Sequence, residues 1–137
     1  MDNEYEEIIV KSFVKKRIQD RMIYELASAK KRTDALSRLC HNYDIVFIKE
    51  YMIELSKPNS EYIDIVNTLK SYGAKDKCYS ISFNEDIDGQ YLPLKYALEK
   101  AVGFGMPSII SCIPNKLIYF ESEQCYGSPA RFILIKH

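Results

Sequence analysis

The stretch "SIISCIPNKLIYFESEQCYGSPARFILIK", residues 108–136, decides the fold. It holds three apolar runs rich in Ile, Leu, Phe and Tyr, the residue types that suit a pleated, half-buried surface. "PN" between the first two runs reads as a hairpin turn, and "ESEQCYGSPA" before the third reads as a polar turn or loop. The third run, "RFILIK", is apolar on both faces and therefore reads as a central strand. Three consecutive strands joined this way favour antiparallel pairing.

Upstream of this stretch, helices and strands alternate. Pro93 is placed to open a helix, with Leu94, Ala97, Leu98 and Ala101 inward and Gly103 as its stop. Residues 77–84 alternate Tyr79, Ile81 and Phe83 against Cys78, Ser80 and Ser82, the two-residue period of a strand. Pro58, Asn59 and Ser60 begin a helix in which Tyr62, Ile65, Val66, Leu69 and Tyr72 share a face and Gly73 caps the end. Residues 50–55 alternate like a half-buried strand.

Near the N-terminus, Val10, Val14, Ile18, Met22 and Leu26 recur every fourth residue. One unbroken helix would drive Arg17 and Arg21 into the same arc as Phe13 and Val14. A break near Lys15 moves them to the rim of a second helix, where Arg17, Arg21 and Glu25 form a ladder. A further helix, N-capped by Ser28, carries Ala35, Leu36, Leu39 and Cys40 on its buried side. The expected architecture is α+β: a mixed five-stranded sheet packed by helices, with two N-terminal helices, in a single domain of 137 residues.

Composition excludes several classes of protein. Apolar residues make up 47% and charged residues 28%, so the chain is not of disordered type. No apolar run approaches the ~20 residues of a membrane span, and "MDNEYEE" has the wrong charge for a signal peptide, so the protein is expected to be soluble and cytoplasmic. Cys40, Cys78, Cys112 and Cys125 form no CxxC pair and read as free thiols in apolar surroundings. A zinc site would have to draw single ligands from distant segments plus His41. Net charge is zero, yet nine Lys or Arg between residues 11 and 38 face only Asp20, Glu25 and Asp34. Such asymmetry marks a surface for an anionic partner or a solvated helix face.

Motifs for chemistry are incomplete. Asn84, Asp86, Asp88 and Gly89 match the start of a calcium-binding loop, but Lys95 stands where the closing Glu belongs. "GFG" at 103–105 lacks the third glycine and the strand-then-helix order of a dinucleotide fingerprint. Cys40 and His41 diverge by about a hundred degrees on a helix, so only a fold-dependent meeting of His41 with Cys112 or Cys125 would give a thiol its base. Glu121 and Glu123 on an extended chain point to one face roughly 6 to 7 Å apart, near the separation of paired glycosidase carboxylates. Such pairs normally sit on separate elements in a cleft lined with aromatics, and the chain lacks Trp, so the two read rather as acids that keep a strand end in solvent.

Residues 21–42, "RMIYELASAKKRTDALSRLCHN", and 103–134, "GFGMPSIISCIPNKLIYFESEQCYGSPARFIL", resemble stretches of short uncharacterised bacterial proteins. That resemblance implies no activity and no catalytic residues. In size, intracellular character and lack of an active-site signature the chain is also similar to the immunity proteins that neutralise bacterial toxins. The expected function is thus binding of a protein partner without catalysis, as an immunity-type inhibitor, through a basic patch at Arg17 and Arg21 and an acidic and aromatic patch at Glu121, Glu123 and Tyr126. Two alternatives are nucleic-acid binding through the basic helices of residues 11–38, and a small hydrolase or transferase using Glu121 or Glu123 with Arg17 and Arg21. No cofactor or metal is expected.

Overall fold

The computed structural model describes residues 1–56, 61–125, 127 and 129–137. Among them the chain forms α1 (Asn3–Phe13), α2 (Lys16–Ala27), α3 (Arg32–His41), α4 (Tyr43–Val46), β1 (Met52–Glu54), α5 (Tyr62–Ser71), β2 (Lys77–Ser82), β3 (Gln90–Pro93), α6 (Leu94–Ala101), β4 (Ser108–Ile113), β5 (Leu117–Glu121) and β6 (Arg131–Ile135). The fold is α+β, as expected. Its sheet has six strands in the order β1-β6-β5-β4-β2-β3, and every neighbouring pair is antiparallel.

The strand-helix-strand units therefore do not make the parallel crossovers of a mixed sheet. β1 and β2, joined through α5, stand apart with β6, β5 and β4 between them. The sixth strand is β3, which lies on the outer edge beside β2, where Pro93 forfeits no ladder bond that a central strand needs. Pro93 is the cap before α6 as well as the last residue of this strand. β1 is shorter than the alternation at residues 50–55 suggests, because Lys49–Tyr51 is wound into a single 3-10 turn.

Alternation along the strands divides the sheet into two apolar faces. Tyr79, Ile81, Ile109, Ile118, Phe120, Phe132 and Leu134 meet α1 to α4 on one side. Cys78, Ile110, Tyr119 and Ile133 meet α5 and α6 on the other. The sheet is thus the middle of three layers, with a core on each face.

The N-terminal helix is interrupted where the charges require it. Val14 is extended and bridges Phe47, Lys15 N–H donates to Val46 O at 2.8 Å, and Ile48 N–H donates to Phe13 O at 2.9 Å. These bonds satisfy backbone groups freed by the break, and they let α2 restart with Arg17 and Arg21 exposed. Ser28 does not cap α3. It closes α2, while its carbonyl accepts from Lys31 N–H and Arg32 N–H, so that α3 begins at Arg32. α5 ends with Gly73 at φ 110°, its N–H bonded to Lys70 O and that of Ala74 to Leu69 O. The expected helix start at Pro58, Asn59 and Ser60 lies outside the described residues.

Candidate functional site

Most buried ionisable groups are engaged with one another. Arg32, buried at the start of α3, donates from Nη1 and Nη2 to Glu6 Oε1 and Oε2 at 2.7 and 2.8 Å. It also donates from Nε and Nη2 to Asp88 at 2.8 Å each, and from Nη1 to Leu26 O at 3.0 Å. Tyr79 O–H completes Glu6 at 2.6 Å, and Ser82 N–H completes Asp88 at 2.9 Å. Burial pushes the Arg32 guanidinium down, but the bonds and charges of Glu6 and Asp88 more than offset this and hold it well up. Asp88 of the calcium-like loop is thereby committed to an arginine, and Asn84 Oδ1 of that loop accepts from Asp86 N–H.

Glu121 is the second such centre and corrects the sequence reading. It is fully buried, on the α5/α6 face of the sheet, and so belongs to no exposed acidic patch. Across the ladder it stands opposite Arg131, whose Nε donates to Oε1 at 2.8 Å and Nη2 to Oε2 at 3.3 Å. Gly103 N–H donates to Oε2 at 2.9 Å, and the Tyr119 hydroxyl, two residues back on the same face, donates to Oε1. Burial, then the Glu121 charge, pushes Tyr119 far above the ordinary phenol range. Arg17 and Arg21 belong to α2, which covers the other face. The sheet thus separates them from Glu121, so that glutamate does not join the two arginines in one site.

On α2 the expected ladder is partly formed. Arg21 Nε lies 3.5 Å from Glu25 Oε2, and Arg38 of α3 grips the same buried carboxylate through Nε and Nη2 at 2.9 Å each. The bonds from Arg38 hold Glu25 below the usual carboxylate range. Arg17 has no ion-pair partner among the described residues, and it lines a shallow depression with Ile18, Arg38, Asn42, Ile45 and Val46. Arg17, Arg21 and Tyr24 recur at i, i+4 and i+7, one outward stripe of α2, and Tyr24 is 63% exposed. Tyr24 and Ile45 are exposed, so the apolar periodicity that marks the core does not single them out. The signal for Tyr24 is its helical spacing from Arg17, whereas Ile45, on α4, has no such spacing from it.

A separate cluster forms where the end of α3 meets the loop after β5. Here His41, Glu123 and Cys125 bring a ring nitrogen, a carboxylate oxygen and a thiol within 4.8 Å of one another. His41 Nε2 lies 3.3 Å from Glu123 Oε2, yet that buried oxygen has no aligned hydrogen-bond donor. Cys40, half-buried, has its thiol pushed up first by burial, then by the charges of Glu123 and Cys125. Of the two cysteines His41 could have met, the fold brings Cys125. Glu123 and Glu121 therefore have separate partners, one facing His41 and the other Arg131. Tyr126 lies outside the described residues.

The loop itself is held to the sheet. Ser122 N–H and Oγ both donate to Ala130 O, at 3.1 and 2.6 Å, and Gln124 N–H donates to Gly105 O at 3.0 Å. No helix among the described residues is long and apolar enough to cross a membrane. Comparison with protein-family models, with curated proteins and with solved structures finds no match.

Proposed function

We propose that the chain is a non-catalytic protein-binding protein that engages an acidic surface of its partner through the outer face of α2. The observation that carries this reading is the exposed Arg17, Arg21 and Tyr24 stripe beside the depression bearing Ile45, itself 47% exposed. Arg and Tyr are the side chains that most often supply interface hot spots, since each offers a broad apolar body with a polar end. Arg17, with no internal ion pair among the described residues, is the group whose charge a partner carboxylate answers most directly.

A protein surface suits this face better than a polyanion. Arg32 is spent inside the fold, Arg21 and Arg38 share Glu25, Lys11 lies 3.9 Å from Glu7, and Asp20 is exposed beside Arg17 and Arg21. These interruptions break the continuous basic track that phosphate neutralisation rewards. An immunity-type inhibitor of a toxin is the member of this class to which the chain is similar in type, and inhibition would follow from covering the toxin's acidic surface.

The test is capture from a nuclease-treated lysate of the source organism, with wild type and the Arg17→Glu, Arg21→Glu, Tyr24→Ala variant side by side. One stoichiometric partner held by the wild type and released by the variant is expected, with the partner toxic when produced alone and harmless when produced with this chain. Equal recovery by both, or no partner at all, overturns the proposal. Recovery of nucleic acid that falls steeply with salt before nuclease treatment replaces it with the nucleic-acid alternative.

A further inference from the structure

We propose that His41, Glu123 and Cys125 form a three-ligand site for a divalent transition-metal ion of borderline softness, Zn²⁺ foremost, with a fourth coordination position left to water. The site is independent of the α2 surface. Imidazole nitrogen, carboxylate oxygen and thiolate sulfur are the donor types that zinc draws upon, and hard ions such as Mg²⁺ and Ca²⁺ do not favour the thiolate.

The spacing fits. In a tetrahedral shell with metal–nitrogen and metal–oxygen bonds of about 2.0–2.1 Å, the edge between two such ligands is about 3.3–3.4 Å. His41 Nε2 and Glu123 Oε2 stand 3.3 Å apart. All three donor atoms fall within 4.8 Å, so closing the remaining edges asks for a movement of about 1 Å by Cys125, which is exposed.

Two further observations point to a cation at this place. Glu123 Oε2 is buried without a hydrogen-bond partner, an arrangement that is costly for a carboxylate oxygen and that a bound cation relieves. His41 is the last residue of α3, a ten-residue helix whose C-terminal carbonyls carry partial negative charge and favour a positive ion nearby. The backbone on the other side is prepared as well. The bonds of Ser122 to Ala130 and of Gln124 to Gly105 fix the residues flanking Glu123, and Glu123 and Cys125, two apart, reach the same side of the loop.

The experiment uses the untagged full chain, reduced with a phosphine and freed of metal. Titration with Co²⁺ is expected to produce a thiolate-to-metal charge-transfer band that saturates at about one equivalent and is bleached by Zn²⁺. Cys125→Ser removes the band, and His41→Ala and Glu123→Gln each weaken Zn²⁺ binding by more than about tenfold, the least that even outer-shell partners cost. Unchanged melting of the metal-free variants shows that folding is intact. Should a variant not fold, alkylation of the wild type decides: Zn²⁺ is expected to slow modification of Cys125. Absence of the band, affinity unchanged in all three variants, or alkylation of Cys125 indifferent to Zn²⁺ overturns the proposal.

Discussion

Replacing Arg32 with Met removes a guanidinium that makes four charge-assisted bonds to Glu6 and Asp88 and a fifth to Leu26 O. Methionine fills a similar volume with a flexible apolar chain, so the loss is electrostatic rather than a cavity. Glu6 stays almost fully buried, and each carboxylate retains one other donor, Tyr79 O–H for Glu6 and Ser82 N–H for Asp88. Removing one member of a buried pair typically costs 3–5 kcal/mol, and the retained donors place this case at about 3–4 kcal/mol. With a urea m-value of about 1.5 kcal/mol/M, the midpoint falls by about 2 M. The assay is urea unfolding at pH 7, repeated on Glu6→Gln and on the double variant. The cycle is expected to give a coupling above about 1 kcal/mol, because the neutral amide no longer leaves a buried charge stranded. A loss below about 1 kcal/mol, or strictly additive single costs, would refute the view that this triad ties α1, α3 and the loop after β2 together.

Other perturbations follow the same physics. Glu25 is held below its ordinary range chiefly by Arg38, so its contribution is complete above the unfolded value near 4.5 and is lost as pH falls through the lower folded value; Glu25→Gln should flatten the difference in urea stability between pH 7 and pH 3. Burial pushes the Cys78 and Cys112 thiols up to about 12, which leaves roughly one thiolate in ten thousand at pH 8. A thiol reagent on the native chain should therefore label exposed Cys125 first and leave Cys78 and Cys112 unmodified until denaturant is added, as read by mass spectrometry. Glu121→Gln should cost about 3 kcal/mol in urea unfolding, since Arg131 then lies beside a neutral amide in a buried row.

The parts of the fold legible in the sequence were those that local physics decides. Phe13, Val14, Arg17 and Arg21 cannot share one helical arc, and the chain breaks at Val14 to separate them. The closing strands announced themselves because Ile, Phe and Tyr runs punctuated by Pro and Gly admit few other conformations. Strand order was not legible, because whether β2 pairs beside β1 or lies beyond three intervening strands is settled by long-range packing on both faces. β3 was hidden by its length of four residues and by a proline that reads equally well as a helix start.

Electrostatic partners were the least visible. The basic residues between 11 and 38 read as a surface for an anionic partner or a solvated helix face, yet Arg32 turns inward, because carboxylates from residues 6 and 88 converge on it only in the folded chain. Glu121 looked like a solubilising strand end; its signal was Arg131 directly opposite, which requires the β5/β6 register to be known. His41 and Cys125 lie more than eighty residues apart, so their meeting depends on where α3 ends against the β5–β6 loop.

The most direct measurement of the central claim is hydrogen–deuterium exchange of the chain with and without its captured partner. Slowed exchange across residues 16–27 and 42–46, absent for the Arg17→Glu, Arg21→Glu, Tyr24→Ala variant, is the predicted result. Protection confined to α5, α6 or the β3 edge, with α2 unchanged, would contradict it.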